Sequence, residues 1–459
     1  NIYYSRENIS NYFLGSISVN KGNNKEAFRH LKKVQTLKNR HQEYNIKFLR
    51  TLVLLGKFDK AFAYHQKGLL TEAKEIYLDN NATTRPLPQV CDAMMRVLGE
   101  DFGNASSAHS SGERARKYLT EARDSVAALI GGDSSNLIFT GSGTEANNLV
   151  LMSCLVRKNK PSHIVTSSVE HSSILKTCDH LLEKGDDVLL LSVNSSGLVS
   201  PQELDDVISN TTRLVSIQWV NNETGVIQPI KEILKICKAH KVPLHVDAAQ
   251  AVGKIPVDVT EIDVDFLTLT GHKFHAPPGV GAVYAKTPKQ LRPLIFGGPQ
   301  ELSLRPGTEN MPGIVGLGKA AELRKNNFLK VVSKITEIRD LFETKILQTV
   351  PNTKINGNIE HRSGNSTNIL FEGIDGKALV IRLDQLGIRC SQSSACTNMR
   401  PEPSYVLRAM GLSEEEAYSS VRFSFSEQNT LEEVDIVVEA VSRLCNEIRP
   451  ISELLSKTH

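Results

Sequence analysis

At 459 residues and 50.7 kDa the chain has the length of two or three ordinary domains. Its 54 Lys and Arg against 51 Asp and Glu leave a formal net charge of +3, too near neutral for a dedicated nucleic-acid binder. No window approaches the run of about 18 apolar residues that a membrane span needs, so neither nucleic acid nor membrane is an expected partner. The seven cysteines are dispersed and contain no Cys-x-x-Cys, which fits neither a disulfide scaffold nor a zinc ribbon. A reducing compartment is expected: the cytoplasm, or a mitochondrion, since the sequence starts at Asn1 and not at a methionine.

Residues 1–75 read as a helical, repeat-like segment. Gly22, Ala27 and Phe28 in GNNKEAFRHL recur as Gly56, Ala61 and Phe62 in GKFDKAFAYH, an offset of 56 − 22 = 34, the period of tetratricopeptide (TPR-like) helix pairs. Two amphipathic helices with a coincidental spacing are the alternative.

From residue 76 short β-branched runs alternate with helical stretches. The runs LIFTG (137–141), HIVTSS (163–168), DVLLLSV (187–193), RLVSIQWV (213–220), PLHVDAA (243–249), DFLTLTG (265–271) and VGAVYAK (280–286) predict seven strands. Helices between them, such as EARDSVAALIG (121–131) and IKEILKICKAH (230–240), imply an α/β fold with a mostly parallel sheet covered on both faces. Farther on, 330–350 predicts an amphipathic helix, STNILFEG (366–373) and SVRFSFSE (420–427) predict strands, and a last helix follows from Leu431. The expected division is an arm at 76–91, a large α/β domain at 92–325 and a smaller α+β domain at 326–459.

The chemistry concentrates at three places. LTLTGHKFHAPPGVGAVYAK carries Lys273 just past a strand, at the carboxyl edge of the sheet where open α/β folds bind ligands, and a lysine there can form a Schiff base. Asp247 ends the strand of HVDAAQ, 273 − 247 = 26 residues earlier, one strand-to-strand excursion away. A pyridoxal 5′-phosphate site needs that pair: an amine for the aldehyde and a carboxylate that keeps the pyridine nitrogen protonated. TGSGTEANNL (140–149) supplies a strand-to-helix turn whose backbone N–H groups, with the Thr144 hydroxyl, suit a phosphate. It is neither a full G-x-G-x-x-G nor a P-loop. His272 and His275 have no third ligand at suitable spacing, so no metal is expected.

Taken together, these residues resemble the class V aminotransferase group of fold-type I enzymes, and within it the NifS/IscS-like cysteine desulfurase and selenocysteine lyase family. The resemblance runs from YLDNNATTRP (77–86) to about residue 445 through GNASSAHSSG, TGSGTEANN, VEHSS, VNNETG, HVDAAQ, TGHKFHAPPGVGA, RPGTENMPGIVGLGKAAEL, SSACTNMRPEPSYVLRAMG and VRFSFS. It implies a PLP-dependent fold with a large, mostly parallel seven-stranded sheet domain, a smaller α+β domain and a homodimer. It implies that Lys273 binds the cofactor and moves the substrate Cα proton, that Asp247 pairs with the ring nitrogen and that His171 lies on the ring. Gln250 and Asn222 would reach the phenolic oxygen and the substrate carboxylate region. Gly143, Thr144, Thr270 and His272 would hold the phosphate, with Thr308 supplied by the second subunit. Arg422 would clamp the substrate carboxylate, with Asn104 assisting.

Cys396 matches the family's nucleophile in Ser-Ala-Cys-Thr, on a stretch rich in Ser, Asn and Pro with Arg400 near to favour a thiolate. Ser393 stands where the family usually has Gly. Cys390 is a second thiol that could resolve a persulfide as a disulfide, although it ends the strand-like GIRC segment. The implied reaction converts L-cysteine to L-alanine and leaves a persulfide on Cys396 for iron–sulfur cluster assembly or thiolation, through an acceptor or scaffold protein. Selenocysteine lyase, acting on L-selenocysteine, is the nearest alternative, and an aminotransferase or carbon–carbon lyase on the same fold is another. A partner-binding protein that uses the helical prefix is the reading from a different class.

Overall fold

The computed structural model describes residues 75–153, 162–392 and 403–456. The expected repeat at Gly22 and Gly56 and the expected nucleophile Cys396 lie outside the described residues.

All seven expected strands form and share one sheet. They are β1 (Leu137–Thr140), β2 (His163–Ser167), β3 (Asp187–Leu191), β4 (Thr212–Gln218), β5 (Leu244–Asp247), β6 (Phe266–Thr270) and β7 (Gly281–Ala285), in spatial order β1-β7-β6-β5-β4-β2-β3. Only β7 runs against the others, pairing antiparallel with both β1 and β6. Alternation along each strand feeds two cores: Leu137, Phe139, Val215, Ile217, Leu244, Val246, Leu267 and Leu269 face one side, and Ile138, Ile164, Leu214, Phe266 and Val283 the other.

The first core is covered by α1 (Pro88–Gly99), α2 (Ser110–Leu129), α5 (Pro201–Val207), α6 (Ile230–His240) and the start of α7 (Met311–Thr349), and the second by α3 (Gly143–Ser153) and α4 (Ser172–Glu183). Glycine decides how closely α7 approaches its neighbours. A Cβ on Gly318 would lie 2.5 Å from the Ala122 Cα of α2, and one on Gly316 3.0 Å from the Met94 side chain of α1. The expected helix at 330–350 is the second half of this 39-residue element. Pro312 starts the helix, because the first turn has no use for its missing N–H, and the Asn310 side chain caps the backbone N–H of Gly313 at 3.2 Å.

The far half of α7 reaches a second, antiparallel sheet of β8 (Thr353–Ile355), β9 (Ser366–Phe371) and β10 (Ser420–Ser424), ordered β10-β9-β8. Phe342 of α7 packs its ring 4.9 Å from Phe423 and 5.4 Å from Phe425, centroid to centroid. The helices α8 (Gly376–Gln385), α9 (Tyr405–Ala409), α10 (Glu414–Tyr418) and α11 (Leu431–Ser456) complete this part of the chain. Among the described residues no helix is long and apolar enough to cross a membrane.

Candidate active site

Strand register brings the polar ends together. Gln218 of β4 stands opposite Asp247 of β5, which stands opposite Thr268 of β6, so three strand ends deliver side chains to one edge of the sheet. An open cavity of about 440 Å³ lies at that edge. Ten of the expected residues line it: Gly143, Thr144, His171, Asn222, Asp247, Gln250, Thr270, His272, Lys273 and Arg422.

Lys273 sits in the single turn that follows β6. Its amine donates to the carbonyl oxygens of Asn81 at 2.7 Å and Ala82 at 2.9 Å. Burial, helped by the Arg422 charge and opposed by Asp79 and Asp247, brings the amine down from the ordinary lysine range to about 8. The amine therefore has a larger neutral, nucleophilic fraction near neutral pH than an exposed lysine has.

Asp247 is held by short-range bonds. Its Oδ1 accepts from the Ala249 N–H at 2.9 Å and its Oδ2 from the Asn147 amide at 2.8 Å. Asn147 also donates to Ser173 Oγ at 2.8 Å, and Ser173 Oγ lies 2.9 Å from His171 Nδ1. His171 Nδ1 also accepts the Ser173 N–H at 3.2 Å, so it is the acceptor nitrogen and the ring proton belongs on Nε2. Burial and the Lys273 charge hold His171 below the usual histidine range, against the pull of Asp247.

The turn before α3 is shaped for an anion. Ser142 Oγ caps the Glu145 N–H at 3.1 Å, and Gly143 and Thr144 of the first turn, where helical N–H groups have no intrahelical partner, line the cavity with Thr270. Gly281 lets this turn lie against β7: a Cβ there would come within 2.7 Å of the Ser142 carbonyl carbon and 3.0 Å of the Gly143 nitrogen. His272, on the same side, is kept neutral, because burial and the Lys273 charge bring it to about 4.

Across the cavity Arg422 of β10 pairs with Asp79 at 2.6 Å and donates to the Asn222 carbonyl at 3.0 Å. Three atoms on cavity residues are buried without a partner among the described residues: Asn147 Oδ1, Asn222 Oδ1 and Arg422 Nε. A ligand with both donors and anionic oxygens would complete them, since buried polar atoms are rarely left unpaired. The residues thus fit pyridoxal phosphate and an amino acid.

Two expected residues are not brought to this cavity. Asn104 lies exposed on the loop before α2, where its Oδ1 accepts the Ser106 N–H at 2.9 Å and serves the local turn. Thr308 is exposed and outside its own chain's cavity. Cys390 is half-buried, and burial with the Asp79 charge pushes its thiol well above the usual range, which disfavours the thiolate a resolving cysteine needs.

Sequence reasoning passed over Asn81, Asp79, Asn147, Glu170 and Lys254. Asn81 accepts the Lys273 amine on its carbonyl, and its side-chain amide donates to the Asn222 carbonyl and Ser366 Oγ, both at 3.0 Å. The buried Glu170 carboxyl accepts the Gln218 N–H on both oxygens at 2.9 and 3.0 Å and Ser167 Oγ at 2.7 Å, while burial pushes it up to about 8. The only signal for the first four was their place inside the quoted motifs, and Lys254 lies four residues past the end of HVDAAQ.

A family model described as aminotransferase class-V matches residues 76–437. A cysteine desulfurase of a Nostoc species is 44% identical over 377 residues, covering 82% of this chain and 94% of its own. The cysteine desulfurase NifS of Azotobacter vinelandii is 38% identical, with 82% and 94% covered. A solved NifS-like protein superposes with a TM-score of 0.77 at 33% identity, covering 82% of this chain and all of its own. A solved SspA in complex with cysteine has a TM-score of 0.69 at 34% identity, covering 77% and 99%. With its sheet, its cavity and these likenesses, the chain belongs to the class V aminotransferase family, in the NifS/IscS-like cysteine desulfurase group.

Proposed function

We propose that the chain binds pyridoxal 5′-phosphate in the cavity above the sheet edge and transfers the sulfur of L-cysteine to Cys396. The observation that carries this reading is the convergence of a depressed lysine amine, a buried carboxylate and a helix mouth on one cavity with unsatisfied polar atoms. Bound cofactor supplies the electron sink that acidifies the Cα–H bond of an amino acid.

The chain's own groups do the rest. Lys273 binds the cofactor and then moves a proton at Cα. Asp247, oriented by Asn147 and Ala249, keeps a positive ring nitrogen paired. His171, with its proton on Nε2, would lie on the ring, and Gln250 and Asn222 would reach the ring's phenolic oxygen and the substrate carboxylate region. Gly143, Thr144, Thr270 and neutral His272 hold the phosphate, joined by Thr308 from a second subunit of a homodimer. Arg422 takes the substrate carboxylate on a guanidinium that Asp79 already orients.

In the sulfur step the Cys396 thiolate attacks the substrate Sγ. The Cβ–Sγ bond breaks as the S–S bond forms, the carbon skeleton takes up a proton and leaves as L-alanine, and Cys396 keeps the sulfur as a persulfide. An acceptor or scaffold protein then draws on that persulfide, for iron–sulfur cluster assembly or thiolation. The relatives compared above carry the name cysteine desulfurase, which favours L-cysteine over L-selenocysteine as substrate.

The test is mass spectrometry of the protein after L-cysteine, with and without Cys396→Ala. A mass gain of one sulfur on the Cys396 peptide and loss of alanine production in the variant are expected. Full alanine production by Cys396→Ala contradicts the proposal.

A further inference from the structure

Lys254 is a buried lysine without a counter-ion among the described residues. It lies 254 − 247 = 7 residues past Asp247 and is 9% exposed. It forms no salt bridge among the described residues, and the charges acting on it are the cations Lys273, Arg422 and Arg324. Those charges add to burial in pushing its amine well below the ordinary lysine range. Such a placement costs stability, so a chain gains from it only if the amine serves a purpose beyond packing.

Its bonds show what it controls. Lys254 Nζ donates to Asn81 Oδ1 at 2.9 Å and to Gln250 Oε1. Charged or neutral, a lysine amine has at least two N–H donors, enough to serve both oxygens at once, so in this arrangement it fixes which end of each amide faces it. With the Gln250 oxygen so engaged, Gln250 Nε2 points at the Asn81 carbonyl and donates at 2.9 Å. With the Asn81 oxygen engaged, by Lys254 and by the Asn365 amide at 2.9 Å, the Asn81 nitrogen points at Asn222 and Ser366. The Asn81 carbonyl then receives two donors, Gln250 Nε2 and the Lys273 amine.

We propose that Lys254 is a positioning residue that locks the Asn81 and Gln250 amides, so that the Asn81 carbonyl holds the Lys273 amine in place at the floor of the cavity. This inference rests on Lys273 being the reactive amine. Arg422, Asp79 and Asp247 also act on that amine, and the Arg422 charge acts on Lys254 as well, whereas the hydrogen bonds of Lys254 go to Asn81 and Gln250.

The test uses full-length protein loaded with pyridoxal 5′-phosphate. Lys254→Met removes both donated bonds, Lys254→Arg keeps a donor-only head, and Lys273→Ala serves as control. Two quantities are read: kcat and KM for L-cysteine, and the pH titration of the cofactor's visible band, which reports the nitrogen of Lys273. Lys254→Met is expected to lower kcat about tenfold or more with KM changed less than about twofold, as misplaced reacting groups do. Its titration midpoint should move by about half a pH unit or more, roughly the least that lost polar contacts to a titrating group produce. Lys254→Arg should recover most of both.

Wild-type kcat and midpoint in Lys254→Met overturn the proposal, and so does an arginine variant that recovers neither. If the methionine chain does not fold, Lys254→Gln is judged by the same criteria. A Lys273→Ala protein that keeps the visible band overturns the active-site reading itself, whereas loss of the band with an unaffected Lys254→Met overturns only the role given to Lys254.

Discussion

Lys273 and Asp247 lie in one cavity, yet their surroundings act on them in opposite ways. Asp247 is provided with donors, from Ala249 and Asn147, that suit a carboxylate. Among the described residues Lys273 meets only carbonyl oxygens as hydrogen-bond partners, and partial burial with the Arg422 charge brings its amine down to about 8. In cofactor-free protein, labelling with an amine-specific reagent across pH should therefore show Lys273 reacting with a midpoint near 8, well below the exposed lysines. A midpoint in the ordinary lysine range, read by mass spectrometry of the 273 peptide, contradicts that environment. The residue types were legible in the sequence because each motif displays them in order. Their partners were not, because Asn81 lies 273 − 81 = 192 positions from Lys273 and contact at that separation is set by folding alone.

At the scale of elements, α7 joins the two sheets and depends on glycines for its seat. Gly318 faces the backbone of Ala122, whose Cα would lie 2.5 Å from an added Cβ, and backbone cannot swing aside. Gly316 faces Met94, a flexible side chain, and the Pro277 ring. Alanine in a helix gains about 1 kcal/mol over glycine. Overpacking costs about 1–3 kcal/mol and exceeds that gain where nothing can move. Gly318→Ala should therefore lower the denaturation midpoint more than Gly316→Ala. An equal or reversed order in chemical denaturation would rule out close α2–α7 backbone packing as the reason for Gly318. The strands and several helices were legible from their periodicity. The first half of α7 was not, because its glycines and small residues hide the apolar stripe, and β8 is too short to leave a pattern.

At the scale of the molecule, Glu427 ties the parts together. It follows β10 of the small sheet, pairs with Arg324 of α7 through both oxygens at 2.9 Å, and accepts from His275 Nε2, just past the Lys273 turn, at 2.9 Å. Burial alone would raise its carboxyl, but the His275 hydrogen bond and the Arg324 and His275 charges bring it down to about 2. Its folded value lies below the unfolded one. The stabilisation is therefore present above about 4.5 and is lost as pH falls toward 2, amounting to on the order of 3 kcal/mol at 1.36 kcal/mol per pH unit. Glu427→Gln should lower Tm at neutral pH and flatten the fall in stability between about pH 4.5 and 2. A variant with the wild-type acid slope in calorimetry would show that the acid loss arises elsewhere.

By itself the sequence determined the fold class, the order of the seven strands along the chain and ten of the residues that line the cavity, because strand alternation and short motifs are local properties of the chain. Only the tertiary structure decided the spatial order of those strands, the place of Asn104 on the exposed loop before α2, the bonds of Lys254 to Asn81 and Gln250, and those of Glu427 to Arg324 and His275. Those depend on which distant segments meet in the folded molecule, where burial and paired charge set the protonation of each group.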